Sequence, residues 1–321
     1  RVDARTVGDR HRHDAALEAY ASAETEFSGV DLHGSQSVLS EWIRLQLSRI
    51  WIYYWLARVA DMDATIESVR PYIDQRALPL DRSDFYQSLV RRDYREHRYV
   101  VSDETLRDAH ASLLAAQEAQ APLEAAFAQF NYGFCLLWHG QLEAAERELQ
   151  AARATTRRLG DSTSEIRSIT YLMLTSRRAC RADAARLMAE EVLARASAAH
   201  MGDYVGAAQA CLGWIAYRQG DHDEAQRLSQ AAIASWDALS FPYPFQWAGV
   251  LTALAVQLNR VPLRSSILLA SKLLAPQLAR LPEPIDRALD DAVGAYHQGK
   301  REAALEQLMA AVAAAEQLHY L

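Results

Sequence analysis

The sequence predicts an all-α chain, a right-handed superhelical solenoid of stacked antiparallel helix pairs, and three observations carry that expectation. Two twenty-residue stretches, GFCLLWHGQLEAAERELQAA from Gly133 and GWIAYRQGDHDEAQRLSQAA from Gly213, are identical at seven positions. The eighty-residue step between them halves. Gly133, Met173, Gly213 and Ala253 fall forty residues apart, as do Gly140, Cys180, Gly220 and Arg260. Such spacing marks stacked supersecondary units. Finally, alanine, leucine, glutamate, glutamine and arginine crowd the chain while glycine (13) and proline (9) are scarce, a helix-forming composition without alternating strand patterns.

Taken in order, His13 to Phe27 reads as the second helix of a pair, with Gly8 at its turn. Its first helix would precede Arg1, so the first repeat is expected to be truncated and the chain to be a C-terminal piece of a larger multidomain protein. Ser37 to Ala60 and Ala64 to Gln75 form the next pair, then Asp81 to His97 and Ser102 to Gln117, with Ser102 and Asp103 as N-cap candidates. In the Gly133 unit a small residue lets two helices approach closely, and Gly140 ends the first helix in left-handed geometry. Leu142, Ala145, Leu149 and Ala152 then make one apolar stripe. Ala225, Leu228 and Ala232 repeat it. In FPYPFQW, Phe241 to Trp247, the prolines mark a connection into the next first helix. Pro262 falls near the following turn, and the last pair spans about Pro284 to His297 and Lys300 to Leu318. Neither helix of a pair buries its apolar face alone, so about six or seven pairs stack as one repeat domain over 1–321.

The small residues at Gly133, Gly140, Ala145 and Ala152 resemble the tetratricopeptide repeat, here with about forty residues per unit. WIYYWLARVADMDATIESVRPYI (Trp51 to Ile73) and YPFQW are similar to the C-terminal sensor domains of large bacterial signalling ATPases, both the maltose-regulon-activator type and adenylate or guanylate cyclase–ATPase fusions. That resemblance implies a non-catalytic, cytoplasmic sensor that binds a protein or peptide, or other domains of its parent chain, in a concave groove and regulates linked domains. The alternative it implies is a receptor for a small inducer or oligosaccharide. The family pattern projects Phe130, Phe134, Trp138, Arg177, Arg178, Trp214, Tyr217, Arg218 and Trp247 onto the groove. Aromatic rings and arginines are the usual anchors of binding energy. The competing reading is that longer first helices pack on one another and keep these rings in the core.

Several chemistries are set aside. The net charge of −7 offers no nucleic-acid footprint. No run of eighteen apolar residues exists for a membrane span. Cys135, Cys180 and Cys211 are widely spaced, as expected of reduced, buried thiols. GAYHQGKR, Gly294 to Arg301, has phosphate-loop spacing, but Arg301 stands where a Ser or Thr belongs and no strand precedes it. His11, His13 and Asp14 do not share a helix face as metal ligands would. Glu190-Glu191 and Asp290-Asp291 point to different sides of their helices, so no acid–base pair arises. No cofactor, metal or catalytic residue is expected.

Overall fold

The computed structural model describes residues 10–32, 34–258, 260 and 262–321, with the backbone alone for 10–12, 74 and 75. These residues form fifteen α-helices and no strand: α1 Arg10–Glu26, α2 Gln36–Trp55, α3 Val59–Arg76, α4 Pro79–Glu96, α5 Asp103–Glu118, α6 Pro122–His139, α7 Leu142–Leu159, α8 Ser162–Arg178, α9 Ala182–Ala198, α10 Gly202–Arg218, α11 His222–Asp237, α12 Trp247–Gln257, α13 Leu263–Leu273, α14 Glu283–His297 and α15 Arg301–Gln317. From α2 onward they make seven pairs. Gly8 lies outside the described residues, as does the side chain of His11. Where the sequence suggested one long helix over Ser37–Ala60, α2 ends at Trp55, because Ala57 takes a left-handed backbone (φ 55°) that no helix continues through.

The chain divides into two compact units, Arg1–Gly160 and Asp161–Leu321. In the first, successive helices pack on one another from α1 to α7, and α2, α4 and α6 pack in series. Polar ties join the helices as well: buried Asp81 on α4 accepts from Ser40 Oγ (2.6 Å) and Arg44 Nε (3.2 Å) of α2. Ser102 caps α5 through a reciprocal box with Thr105, satisfying helix-end amides as expected.

In the second unit α8, α10 and α12 pack in series, with α9, α11 and α13 beside them and α14–α15 closing onto α12 and α13. The repeat shows in what each second helix buries: Ala145, Leu149, Ala152 and Thr156 on α7; Ala185, Ala189, Val192 and Ala196 on α9; Ala225, Ser229, Ala232 and Trp236 on α11; Ala304, Leu308, Ala311 and Ala315 on α15. That 4, 3, 4 spacing is one face of a helix. Gly133 is a close-approach site, since a Cβ there would lie 2.9 Å from Leu149 Cγ.

The turns follow the forty-residue step too. After α6 the Gly140 amide bonds Leu137 O and the next amide bonds Leu136 O, a Schellman turn with its pivot at φ 93°. The same two bonds close α8 around Cys180, α10 around Gly220 and α14 around Gly299. Cys180 therefore keeps the left-handed conformation (φ 55°) that its position demands, without glycine's freedom. Gly294 lies inside α14 and Lys300 caps α15, so GAYHQGKR is a helix–turn–helix corner.

Candidate functional site

Six of the nine projected residues belong to the second unit, and they converge on its inner helices around Arg177. This side chain sits in the last turn of α8 with 0% of its surface exposed. Nη1 donates to Ala248 O (2.7 Å) and Ala210 O (3.3 Å), and Nη2 donates to Tyr320 O (3.0 Å). Its guanidinium carbon stands 5.3 Å from the Trp214 ring and 5.1 Å from the Trp247 ring, so two indoles flank the cation. Nε is buried without a hydrogen-bond partner, as is Trp214 Nε1. Among the described residues no carboxylate pairs with Arg177. Burial lowers its pKa to about 10, and Arg178 pushes the same way.

The remaining residues form the rim. Arg178 is half-buried and lies over the Tyr320 ring at 4.0 Å; Arg218 is exposed, 5.9 Å from the Trp214 ring. Tyr217, half-buried, donates from its hydroxyl to Glu316 Oε1 at 2.7 Å.

Residues 316–321 cover this face. α15 ends in a Schellman turn: the His319 amide bonds Glu316 O, the Tyr320 amide bonds Ala315 O, and His319 holds φ 60°. The reversal lays the Tyr320 ring on Trp247, centroids 4.7 Å apart, and sets His319 Nδ1 3.2 Å from Cys180 Sγ. Tyr320 is 8% exposed and Leu321 is buried. Sequence reasoning placed this segment at the end of a pair and missed its role. Nothing local signals it; only a Tyr-Leu after an alanine-rich helix hints at burial.

In the first unit Phe130 and Phe134 are buried and Trp138 is half-buried. Phe134 meets Trp138 (5.8 Å) and Tyr94 (5.4 Å) edge-on, and the Tyr94 hydroxyl lies 2.9 Å from Cys135 Sγ. In this structure Phe130, Phe134, Arg177, Trp214 and Trp247 are covered by their own chain. The groove positions with surface to offer are Trp138, Arg178, Tyr217 and Arg218. Coverage has a plain cause: α4 presses Tyr94 against α6, and residues 316–321 lie over α8, α10 and α12.

Two other features fit no chemistry as they stand. Asp93, Glu96 and His97 bring ligand atoms within metal-site range. Arg92, however, bonds Asp63 (2.8 Å), Asp93 (3.2 Å) and Glu96, while Thr105 donates to Asp93 (2.7 Å), so this is an ion-pair network. A surface cleft of about 410 Å³ beside α11 and α12 is lined by Gln226, Gln230 and Gln257 among others, with Asp223 paired to Arg260 at 3.3 Å.

No protein-family model matches the sequence, and no curated protein sequence matches it either. Solved structures do. The apo form of RapI superposes with a TM-score of 0.62 at 11% identity, over 95% of this chain and 93% of that one. Aspartyl phosphate phosphatase F from Bacillus subtilis gives 0.61 at 12% identity, over 85% and 70%. A signal transduction ATPase with a tetratricopeptide repeat sensor, from Pyrococcus horikoshii, gives 0.51 at 15% identity, over 87% of this chain and 43% of that one. The fold is a tetratricopeptide-like helical repeat. At these identities the likeness speaks to architecture, and residues must carry the rest.

Proposed function

We propose that the chain is a recognition module whose second unit binds an extended segment of protein or peptide along α8, α10 and α12 and passes that event to linked domains. One observation carries the reading: the face already holds a short segment of chain, the turn 318–321, through an aromatic contact on Trp247 and a main-chain carbonyl bonded to Arg177. Main-chain contacts with side-chain pockets are how folded domains grip extended chains. The Pyrococcus horikoshii neighbour, a signalling ATPase in which such repeats form a sensor, is consistent with a regulatory setting. Binding without catalysis fits a site composed of arginines and indoles, and the chain is read as non-enzymatic and cytoplasmic.

The test is a thermal-shift panel of short peptides, oligosaccharides and nucleotides. A saturable shift with peptides that weakens in Arg218→Glu, a change at an exposed side chain expected to leave the unliganded melting temperature nearly unchanged, supports the reading. A shift confined to sugars or nucleotides overturns it in favour of a small-molecule receptor.

A further inference from the structure

Resting on the reading of this face as a peptide seat, we infer that residues 318–321 are a displaceable internal occupant, and that the external ligand is an acidic peptide bearing an aromatic residue. The segment acts as an autoinhibitory mimic, reproducing the aromatic stack and supplying a carbonyl where the ligand supplies a carboxylate.

Charge decides the partner's chemistry. A buried guanidinium ordinarily has a carboxylate; Arg177 has three neutral carbonyls and an Nε with no acceptor. The cation that acts on it, Arg178, repels. Arg218 adds a third cation at the Trp214 edge, and the acid brought by the covering segment, Glu316, bonds Tyr217 and not an arginine. Lifting 318–321 would uncover Arg177, Arg178 and Trp247, with Trp214 beside Arg177 and the exposed Arg218 beyond it. Such a face complements anionic and aromatic groups together.

The packing also allows release. The segment's amide bonds all return to its own helix, Leu318 to Ala314 O, His319 to Glu316 O, and Tyr320 and Leu321 both to Ala315 O (2.8 and 3.1 Å), and its pivot residue is a histidine in a conformation that suits glycine. Beyond those bonds it is held by the Tyr320 ring against Trp247 and Arg178, one carbonyl, the buried Leu321 side chain and the His319–Cys180 contact. A segment whose main-chain bonds all lie within one helix end can open locally, below the global unfolding free energy.

The test uses a fluorescein-labelled peptide, Asp-Glu-Tyr-Asp-Leu, and its basic counterpart Lys-Arg-Tyr-Lys-Leu, on the 321-residue chain and on Tyr320→Ala. A carboxylate replacing a carbonyl on a buried arginine is worth about tenfold or more in affinity. The acidic peptide is expected to bind Tyr320→Ala at least that much more tightly than the unaltered chain, and Arg177→Leu to erase its advantage over the basic one. If Tyr320→Ala fails to fold, hydrogen exchange on the unaltered chain decides: saturating acidic peptide should speed exchange at the Tyr320 and Leu321 amides. Acidic peptide that binds without that acceleration overturns the internal occupant while peptide binding stands. Equal or tighter binding of the basic peptide overturns the acidic ligand. Silence of both peptides on chain and variant overturns the peptide seat itself.

Discussion

Gly206→Ala in the second unit should be among the most damaging single-methyl changes in the protein. A Cβ at this position would lie 2.5 Å from Trp236 Nε1, 2.7 Å from Cε2 and 2.9 Å from Cδ1. The indole has no retreat. It is 1% exposed, stacks on Tyr243 at 5.4 Å, and on another side meets Gly249, where a Cβ would come within 3.1 Å. Its N–H donates to Asp203 O at 3.0 Å, so a displaced ring also orphans a buried donor. Overpacking costs about 1–3 kcal/mol, and the unmade hydrogen bond about 1–3 kcal/mol. Alanine's better helix propensity returns about 1 kcal/mol. The net loss should be about 1–5 kcal/mol, read by urea unfolding of the purified chain followed by tryptophan fluorescence. Gly294→Ala is the control, because a Cβ there meets nothing within 4 Å in the interior of α14, and it should gain about 0.5–1 kcal/mol. Trp236→Phe should partly rescue Gly206→Ala. A loss below about 1 kcal/mol for Gly206→Ala, or one no larger than for Gly294→Ala, would refute the steric argument.

Alkaline pH should unfold both units. Burial pushes the Cys135 and Cys211 thiols up to about 12 from an ordinary value near 9, so the stability they carry is complete below pH 9 and lost as pH climbs toward 12. By pH 10.5 each thiol alone should cost its unit about 2 kcal/mol, and buried Tyr94, Tyr171 and Tyr243, all raised by burial, deepen the loss above pH 10. Arg177, lowered to about 10, opposes this weakly by favouring the fold above pH 10; urea midpoints that stay flat from pH 8 to 10.5 would contradict the assignment. Iodoacetamide on the native chain should modify half-buried Cys180 first and reach Cys135 and Cys211 only on unfolding, as peptide mapping would show. Arg177→Leu should hold or raise the midpoint of urea unfolding while increasing hydrogen exchange at Tyr320; a loss above about 3 kcal/mol would show the cation to be a packing element.

The repeat was legible because its signals are local. Gly140, Gly220 and Gly299 stand at left-handed turns, and the stripe residues Ala145, Leu149, Ala152, Ala225 and Ala232 are buried, while Leu142 and Leu228, one step to the side of that face, are half-buried. The Cys180 turn was legible only from its place in the forty-residue register, and the His319 turn not at all, since two main-chain bonds enforce a conformation their side chains do not advertise. FPYPFQW reads as a connection, yet Tyr243 and Phe245 are core: the first stacks on Trp236 and the second meets Tyr171 edge-on. Gly206 and Gly249 are spaced by no repeat rule. They answer Trp236, which fills a place held by Thr156, Ala196 and Ala315 elsewhere. Whether Trp214 or Trp247 faced a groove or a core depended on residues seventy to a hundred positions further on. No periodicity encodes that.

Position 177 separates recognition from packing within the repeat itself. Forty residues earlier the same register holds Leu137, likewise 0% exposed, three residues before its own left-handed pivot. An apolar side chain therefore satisfies this site in an equivalent turn, and the helices do not require an arginine there. Burial has nonetheless lowered the pKa of Arg177 to about 10, a preference against the charged form of roughly 3 kcal/mol. A chain that only had to stack would lose nothing by leucine. On the proposed reading the cation, the two indoles and the carbonyl from residue 320 form one seat, which in this structure is filled by the chain's own Tyr320.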